Sequence, residues 1–235
     1  MYTDVFCKVY NVFGWNYYPE IFGERLLQWL ERQEKQPKTS LDLACGTGVL
    51  CRLFKDAGIR AWGMDLSQGM IAIAREEDPE GVYEVADMTT YCPQERFDLV
   101  TCTGDSLNHL PSLSMLEAVF SNMYGCMNPG GYFVFDLLNE REISDSEPFE
   151  MDMEDGSRIW FQMTRPAQDR VELTIRVLEG NKVKLEQVIR ETLYDPEEVR
   201  KLLQKVGFSK VILENRLLTE DKPGTTWFLI ACKEA

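Results

Sequence analysis

The chain is predicted to be an α/β protein: a mostly parallel sheet with crossover helices, interrupted by an antiparallel excursion. Three observations carry that prediction. From 39 to 138, short apolar or β-branched runs alternate with segments of helical period, the pattern of parallel strands joined by helices. The first run, "LDLACGTGVL" (41–50), breaks into Gly-Thr-Gly and resumes as a helix, the turn by which such a strand opens onto a ligand. The last two runs, "SKVILENRL" and "TTWFLIACK", are joined by "TEDKPG", too short for a crossover helix, so they pair antiparallel.

Residues 1 to 38 are aromatic and helical in pattern, with Tyr2, Phe6, Tyr10, Phe13, Trp15, Tyr17 and Tyr18 ahead of the amphipathic "EIFGERLLQWLERQ". The first strand, 39–45, leads into a helix from Gly48 to Ala57 that Gly58 caps. The second, "IRAWGMDL", ends at Asp65, and Ser67 caps the helix "QGMIAIAREE". The third, "VYEVADM", ends at Asp87 and Met88. The fourth, "FDLVTCTG", runs into "DSLNHL", and the following helix stops at "MNPGG", where Pro129 and two glycines force a turn before the fifth strand, "YFVFDLL".

Residues 157–194 then alternate with period two: Ile159, Phe161, Met163; Val171, Leu173, Ile175, Val177; Val183, Leu185. That predicts three antiparallel strands, with "EGNK" as a hairpin turn. The alternation slips near Gln187 and Val188, which predicts a bulge there. Helical pattern returns at "DPEEVRKLLQKVGF", with Asp195 as cap, Pro196 in the first turn, Glu198 spaced for a capping box and Gly207 at the end.

Composition narrows the function. The formal net charge is −14 over 235 residues and the sequence pI is about 4.6, with the acids spread along the chain; a phosphate backbone is repelled by such a surface, so no nucleic-acid partner is expected. The start, "MYTDVFCKVYNVFGW", has neither a basic flank nor a continuous apolar run, so no signal peptide, membrane span or membrane partner is expected. Cys7, Cys45, Cys51, Cys92, Cys102, Cys126 and Cys232 form no CxxC pair, and the single His109 cannot complete a zinc set. The cysteines read as buried thiols of a reducing cytoplasm, and no metal site is expected.

The candidate site follows from the strand ends. Asp42 with the glycines, Asp65 and Asp87 lie at the carboxyl ends of consecutive strands, the edge where ligands bind in an open parallel sheet. Gly46 and Gly48 allow positive φ and close backbone approach. Asp65 stands 19 residues after Gly46, close to the roughly 20-residue spacing at which an acid meets adenosine ribose hydroxyls. A dinucleotide fingerprint wants a third glycine where Cys51 stands, and a sixth parallel strand where an antiparallel pair is predicted; both departures count against a nicotinamide cofactor.

Together, "LDLACGTG", "GMDLSQGM", "ADM", "FDLVTCTGDSLNHL", "NPGGYFVFDL" and the closing "GF" to "WFLIACK" make the chain resemble the class I S-adenosylmethionine-dependent methyltransferases. The resemblance implies a Rossmann-like seven-stranded sheet of order 3-2-1-4-5-7-6, last strand antiparallel, with helices on both faces, and S-adenosylmethionine as cofactor. It implies that Gly46 and Gly48 pass beneath the methionine part, that Ala44 is also a cofactor-binding residue, that Asp65 holds the ribose, and that Leu66 and Met70 pack on the adenine. Asp87 and Met88 would meet the adenine's amino edge; Thr103, Gly104 and Asp105 would face the sulfonium and the nucleophile. The N-terminus with "VYN" and "YYPE" resembles the lid of small-molecule methyltransferases, with Asn11 and Ile21 in place of that group's acid and aromatic. The division this implies is a helical lid over 1–38, a core over 39–148 and 193–235, and an antiparallel insertion over 149–192 that forms part of the acceptor site.

In such a protein no nucleophile is required of the chain. Tyr10, Tyr17 or Tyr18 would offer an aromatic face to the sulfonium; Asp105 would orient an amine or accept its proton, and His109 is the candidate base for a hydroxyl. "TGDSLN" in place of [ND]PP[YF] argues for a small-molecule acceptor, an amine ahead of a hydroxyl. Two other readings share these features: a non-catalytic S-adenosylmethionine-binding regulator, and a nicotinamide oxidoreductase. The oligomeric state, monomer or homodimer, is not legible.

Overall fold

The computed structural model describes residues 7, 10, 14–139, 143–153, 156–180, 182–214 and 226–234. Asn11, three of the N-terminal aromatics (Tyr2, Phe6 and Phe13) and the "TEDKPG" turn lie outside them. Helix α1 (Tyr17–Leu30) turns Phe22, Leu26 and Leu30 inward at a 3.6-residue period. They join Leu50, Phe54, Val134, Phe228 and Ile230 in one apolar cluster, each buried side chain contributing about 1.5–3 kcal/mol.

Then come β1 (Thr39–Leu43), α2 (Val49–Asp56), β2 (Arg60–Asp65), α3 (Gln68–Glu77), β3 (Val82–Val85) and β4 (Phe97–Cys102). A single 3-10 turn at Ser106–His109 precedes α4 (Leu113–Cys126) and β5 (Met127–Leu138). After the insertion follow α5 (Pro196–Val206), β10 (Lys210–Glu214) and β11 (Thr226–Cys232). The sheet order is β10-β11-β5-β4-β1-β2-β3. β11 runs antiparallel to both its neighbours and the remaining pairs are parallel. This is the expected order, with β10 and β11 as the sixth and seventh strands. The central strands β1 and β4 are buried at every position, as strands covered on both faces must be.

Local signals act largely where the sequence places them. Ser67 accepts the Met70 N–H at 3.3 Å. Asp195 caps α5 by accepting the Glu197 N–H at 2.9 Å, so the cap bond is made one residue before the expected Glu198. The "MNPGG" segment differs. It does not precede β5 but lies within it as a bulge, pairing jumping from Phe97↔Met127 to Leu99↔Tyr132. The bulge is tied down from the chain end, by Gly130 N–H to the Lys233 carbonyl at 3.0 Å and Lys233 N–H to the Gly131 carbonyl at 3.0 Å.

The insertion holds the three strands expected over 157–194, β7 (Arg158–Ala167), β8 (Arg170–Glu179) and β9 (Lys182–Thr192), preceded by a fourth, β6 (Phe149–Asp152), all antiparallel in sequence order. Pairing is regular through Gln187 and Val188; the irregularity falls instead at Lys184, between Val177↔Leu185 and Leu178↔Val183. The expected bulge is displaced because Gln187 simply occupies the inward row between Leu185 and Ile189. Among the described residues no helix is long and apolar enough to cross a membrane.

Candidate active site

The chain leaves β1 through Ala44 (φ 52°), Gly46 (φ 54°) and Gly48 (φ 78°). Left-handed backbone costs a residue with a Cβ roughly 1–2 kcal/mol, so glycines serve here and Ala44 carries strain. A Cβ on Gly48 would stand 2.8 Å from the Tyr83 hydroxyl, whereas one on Gly46 or Gly104 would meet nothing within 4 Å. Backbone at those two loops therefore borders open space.

Asp65 ties the loops together, accepting the Gly46 N–H at 3.0 Å and the Ser67 N–H at 2.7 Å. Burial raises its pKa, opposed by these two N–H groups. Asp42 does not take the loop-anchoring role its position suggests: it accepts the Thr101 hydroxyl of β4 at 2.7 Å, and burial pushes its pKa to about 7. Asp87 lies beyond the end of β3 and accepts the N–H and hydroxyl of Thr89 at 2.8 and 2.7 Å, while Met88 packs on the main core. Of the pair expected against an adenine, Leu66 is 49% exposed and Met70 only 1%. Only Leu66 thus presents surface to the opening, because Met70 occupies the inward position of α3's first turn.

At the end of β4, Thr103 is buried, Gly104 has φ 69° and Asp105 φ 50°. This left-handed pair is held by Asp136 of β5, which accepts the Gly104 N–H at 2.9 Å and the Asp105 N–H at 2.8 Å, together with the Tyr18 hydroxyl. Asp136 is wholly buried, and burial, against those three donors, sets its pKa at about 6. Sequence reasoning passed over it; the signal was an acid inside the apolar run "YFVFDLL".

Glu191, on β9, was also missed. It is 7% exposed, its carboxylate 3.9 Å from His109 Nε2. One donor atom each from Asp105, His109 and Glu191 lie within 4.8 Å of one another, a mixed trio that the metal-free reading did not foresee. Burial and the neighbouring acids raise the pKa of Asp105 and Glu191, whereas burial lowers that of His109. The buried Asn108 fixes this arrangement by accepting the Leu138 N–H at 3.1 Å and donating to the Thr192 carbonyl at 2.7 Å.

Described residues of the N-terminal region lie against these loops. Cys7 Sγ lies 3.4 Å from Ser67 Oγ. Tyr10 stacks edge-on with Trp15 at 5.3 Å and packs on the inner face of the insertion; burial and then Asp105, Asp65 and Asp136 raise its pKa. Tyr17, 63% exposed, points away, so Tyr10 and Tyr18 are the aromatic residues brought to the site. Trp160 faces out, stacked under the Arg176 guanidinium at 4.5 Å. Of the cysteines, Cys92 alone is exposed and departs from the buried reading, and Cys232 is intermediate.

Residues 15–213 match the family described as a methyltransferase domain. The chain belongs to that family. A dTDP-3-amino-3,6-dideoxy-alpha-D-glucopyranose N,N-dimethyltransferase of Streptomyces fradiae is 30% identical over 132 residues, 56% of this methyltransferase and 51% of that protein. The chain thus matches about half the length of that relative. Streptomyces venezuelae DesVI has the same fold, with a TM-score of 0.79 at 20% identity over 97% of this chain and 98% of that one. So does a S-adenosylmethionine-bound amino pentose methyltransferase from Micromonospora echinaspora, at 0.75 and 23% over 99% and 98%. Membership sets aside the nicotinamide oxidoreductase that the glycine loop alone permitted.

Proposed function

We propose that this methyltransferase transfers a methyl group from S-adenosylmethionine to the amine of a small molecule. The observation that carries the reading is the open backbone at Gly46 and Gly104, flanked by Asp65 on one side and by Asp105 with the buried Asp136 on the other. An adenosine and a sulfonium need those features in that order. Asp65 would hold the ribose, Ala44, Gly46 and Gly48 the methionine part, Leu66, Asp87 and Met88 the adenine. S-adenosylmethionine supplies an electrophilic methyl group on a sulfonium.

What the chain contributes is alignment. Asp136 locks the Thr103–Asp105 loop, so the acceptor is presented in line; such positioning offsets about 7–11 kcal/mol of barrier. Tyr10 and Tyr18 bring aromatic rings beside the acids, a surround that favours a cation. The region over 1–38 acts as a lid and the insertion over 149–192 as the acceptor-side wall, which excludes water. The amine preference is supported by the Streptomyces fradiae relative, named for N,N-dimethylation of an amino sugar. The free thiols of Cys45, Cys51, Cys92, Cys102, Cys126 and Cys232 fit a reducing cytoplasm.

Calorimetric titration with S-adenosylmethionine and S-adenosylhomocysteine tests the reading. Micromolar binding of both, lost in Asp65→Ala, is expected. Binding undiminished in that variant would remove Asp65 from the site, and no binding of either would overturn the cofactor.

A further inference from the structure

We infer that the acceptor is recognised as a cation: its ammonium group sits between the carboxylates of Glu191 and Asp105, and His109 takes the proton it must lose. This rests on the methyl-transfer reading above.

Glu191 lies on the inward row of β9 in phase with Leu185 and Ile189, where an apolar residue would continue the packing. Its side chain is 8% exposed, with His109 Nε2 at 3.9 Å, beyond hydrogen-bond reach, and an Asp105 carboxylate oxygen within 4.8 Å. Burying a carboxylate with so little compensation is unfavourable unless a proton or cation joins it. Burial and the neighbouring acids raise the proton affinities of both Glu191 and Asp105, in keeping with carboxylates that favour a shared cation. Asp136 differs, since Tyr18 and two backbone N–H groups already occupy its oxygens. Among the described residues no such hydrogen bond reaches the carboxylates of Asp105, on the loop after β4, or Glu191, on the insertion.

The proton balance closes. An N–H bond of the ammonium breaks and its proton passes to a His109 ring nitrogen, neutral because burial lowers its pKa. The freed lone pair bonds to the methyl carbon as the carbon–sulfur bond breaks, its electrons staying on sulfur. A methylated ammonium and a neutral thioether result, and His109, with 32% of its side chain exposed, releases the proton to water. The same trio has the donor types for a divalent metal, but an amine bound to a metal has no lone pair left to attack.

His109 is the single histidine, so its ring proton resonance reports on the site without assignment. Protein with and without saturating S-adenosylhomocysteine is titrated with ethylammonium and D-glucosamine, and with ethanol and D-glucose as neutral counterparts. The amines should shift the resonance saturably and the neutral compounds at least tenfold more weakly. Glu191→Gln should weaken the amines at least tenfold while S-adenosylhomocysteine affinity stays within twofold. Equal response to neutral compounds, no response to either amine, unchanged amine affinity in Glu191→Gln, or saturation by micromolar zinc without response to amines would each overturn the inference. Failure to bind S-adenosylhomocysteine would count against the methyl-transfer reading instead, and the amine titration of the free protein would still decide this one.

Discussion

The seven-stranded sheet and the four-stranded insertion bury their residues in different ways. β1 and β4 are covered on both faces at every position, whereas β7 to β9 turn Ile159, Ile175, Leu185 and Ile189 toward Tyr10 and Trp15 on one face. The insertion's pairs Arg176–Glu186 at 2.5 Å and Arg190–Glu172 at 2.8 Å involve partly exposed side chains. Stability therefore resides in the larger sheet, and the insertion is free to carry a residue such as Glu191 that packing does not want. A buried carboxylate is tolerated where few other residues depend on its packing.

Breaking the larger sheet should have the largest effect: Phe133→Ala, in a wholly buried position against Phe120, Phe135 and Phe208, should lower unfolding stability by about 3–5 kcal/mol in urea titrations. At its carboxyl edge, Asp65→Ala should weaken S-adenosylhomocysteine at least tenfold by calorimetry, equivalent to about 1.4 kcal/mol or more.

The buried acids give a pH dependence. In the folded chain Asp42 titrates at about 7 and Asp136 at about 6, above the roughly 3.9 of an unfolded aspartate. Between those values the folded state holds protons that the unfolded state has released, so stability rises as pH falls from 7 toward 4. Asp42→Asn should flatten this slope by up to about 1.4 kcal/mol per pH unit in thermal melts at fixed ionic strength. The smallest effect is expected on the insertion's outer face, where Arg176→Ala removes an exposed pair and a ring contact and should change stability by about 1 kcal/mol or less.

The legibility of the sequence follows the same division. Parallel strands buried on both faces read as apolar runs, and loops that need positive φ read as glycines, so β1 to β5, the Gly46–Gly48 turn and Asp65 were visible. In the insertion, period-two alternation marked β7, β8 and the start of β9. It was blind to β6, where Phe149 is 60% exposed and neighbouring acids mask the pattern. The slip at Gln187 looked like a bulge because a polar residue in the inward row cannot be told from a shift of phase.

By itself the sequence determined the order of the elements, the carboxyl edge of the sheet and its glycine loop, since period, turn chemistry and loop length are properties of neighbours along the chain. Tertiary structure alone decided that Asp42 bonds to Thr101 rather than to the loop, that Asp136 organises Gly104 and Asp105, and that Glu191 meets Asp105 and His109. Those partners come from different strands, and a carboxylate's role is set by donors and burial that no local pattern encodes.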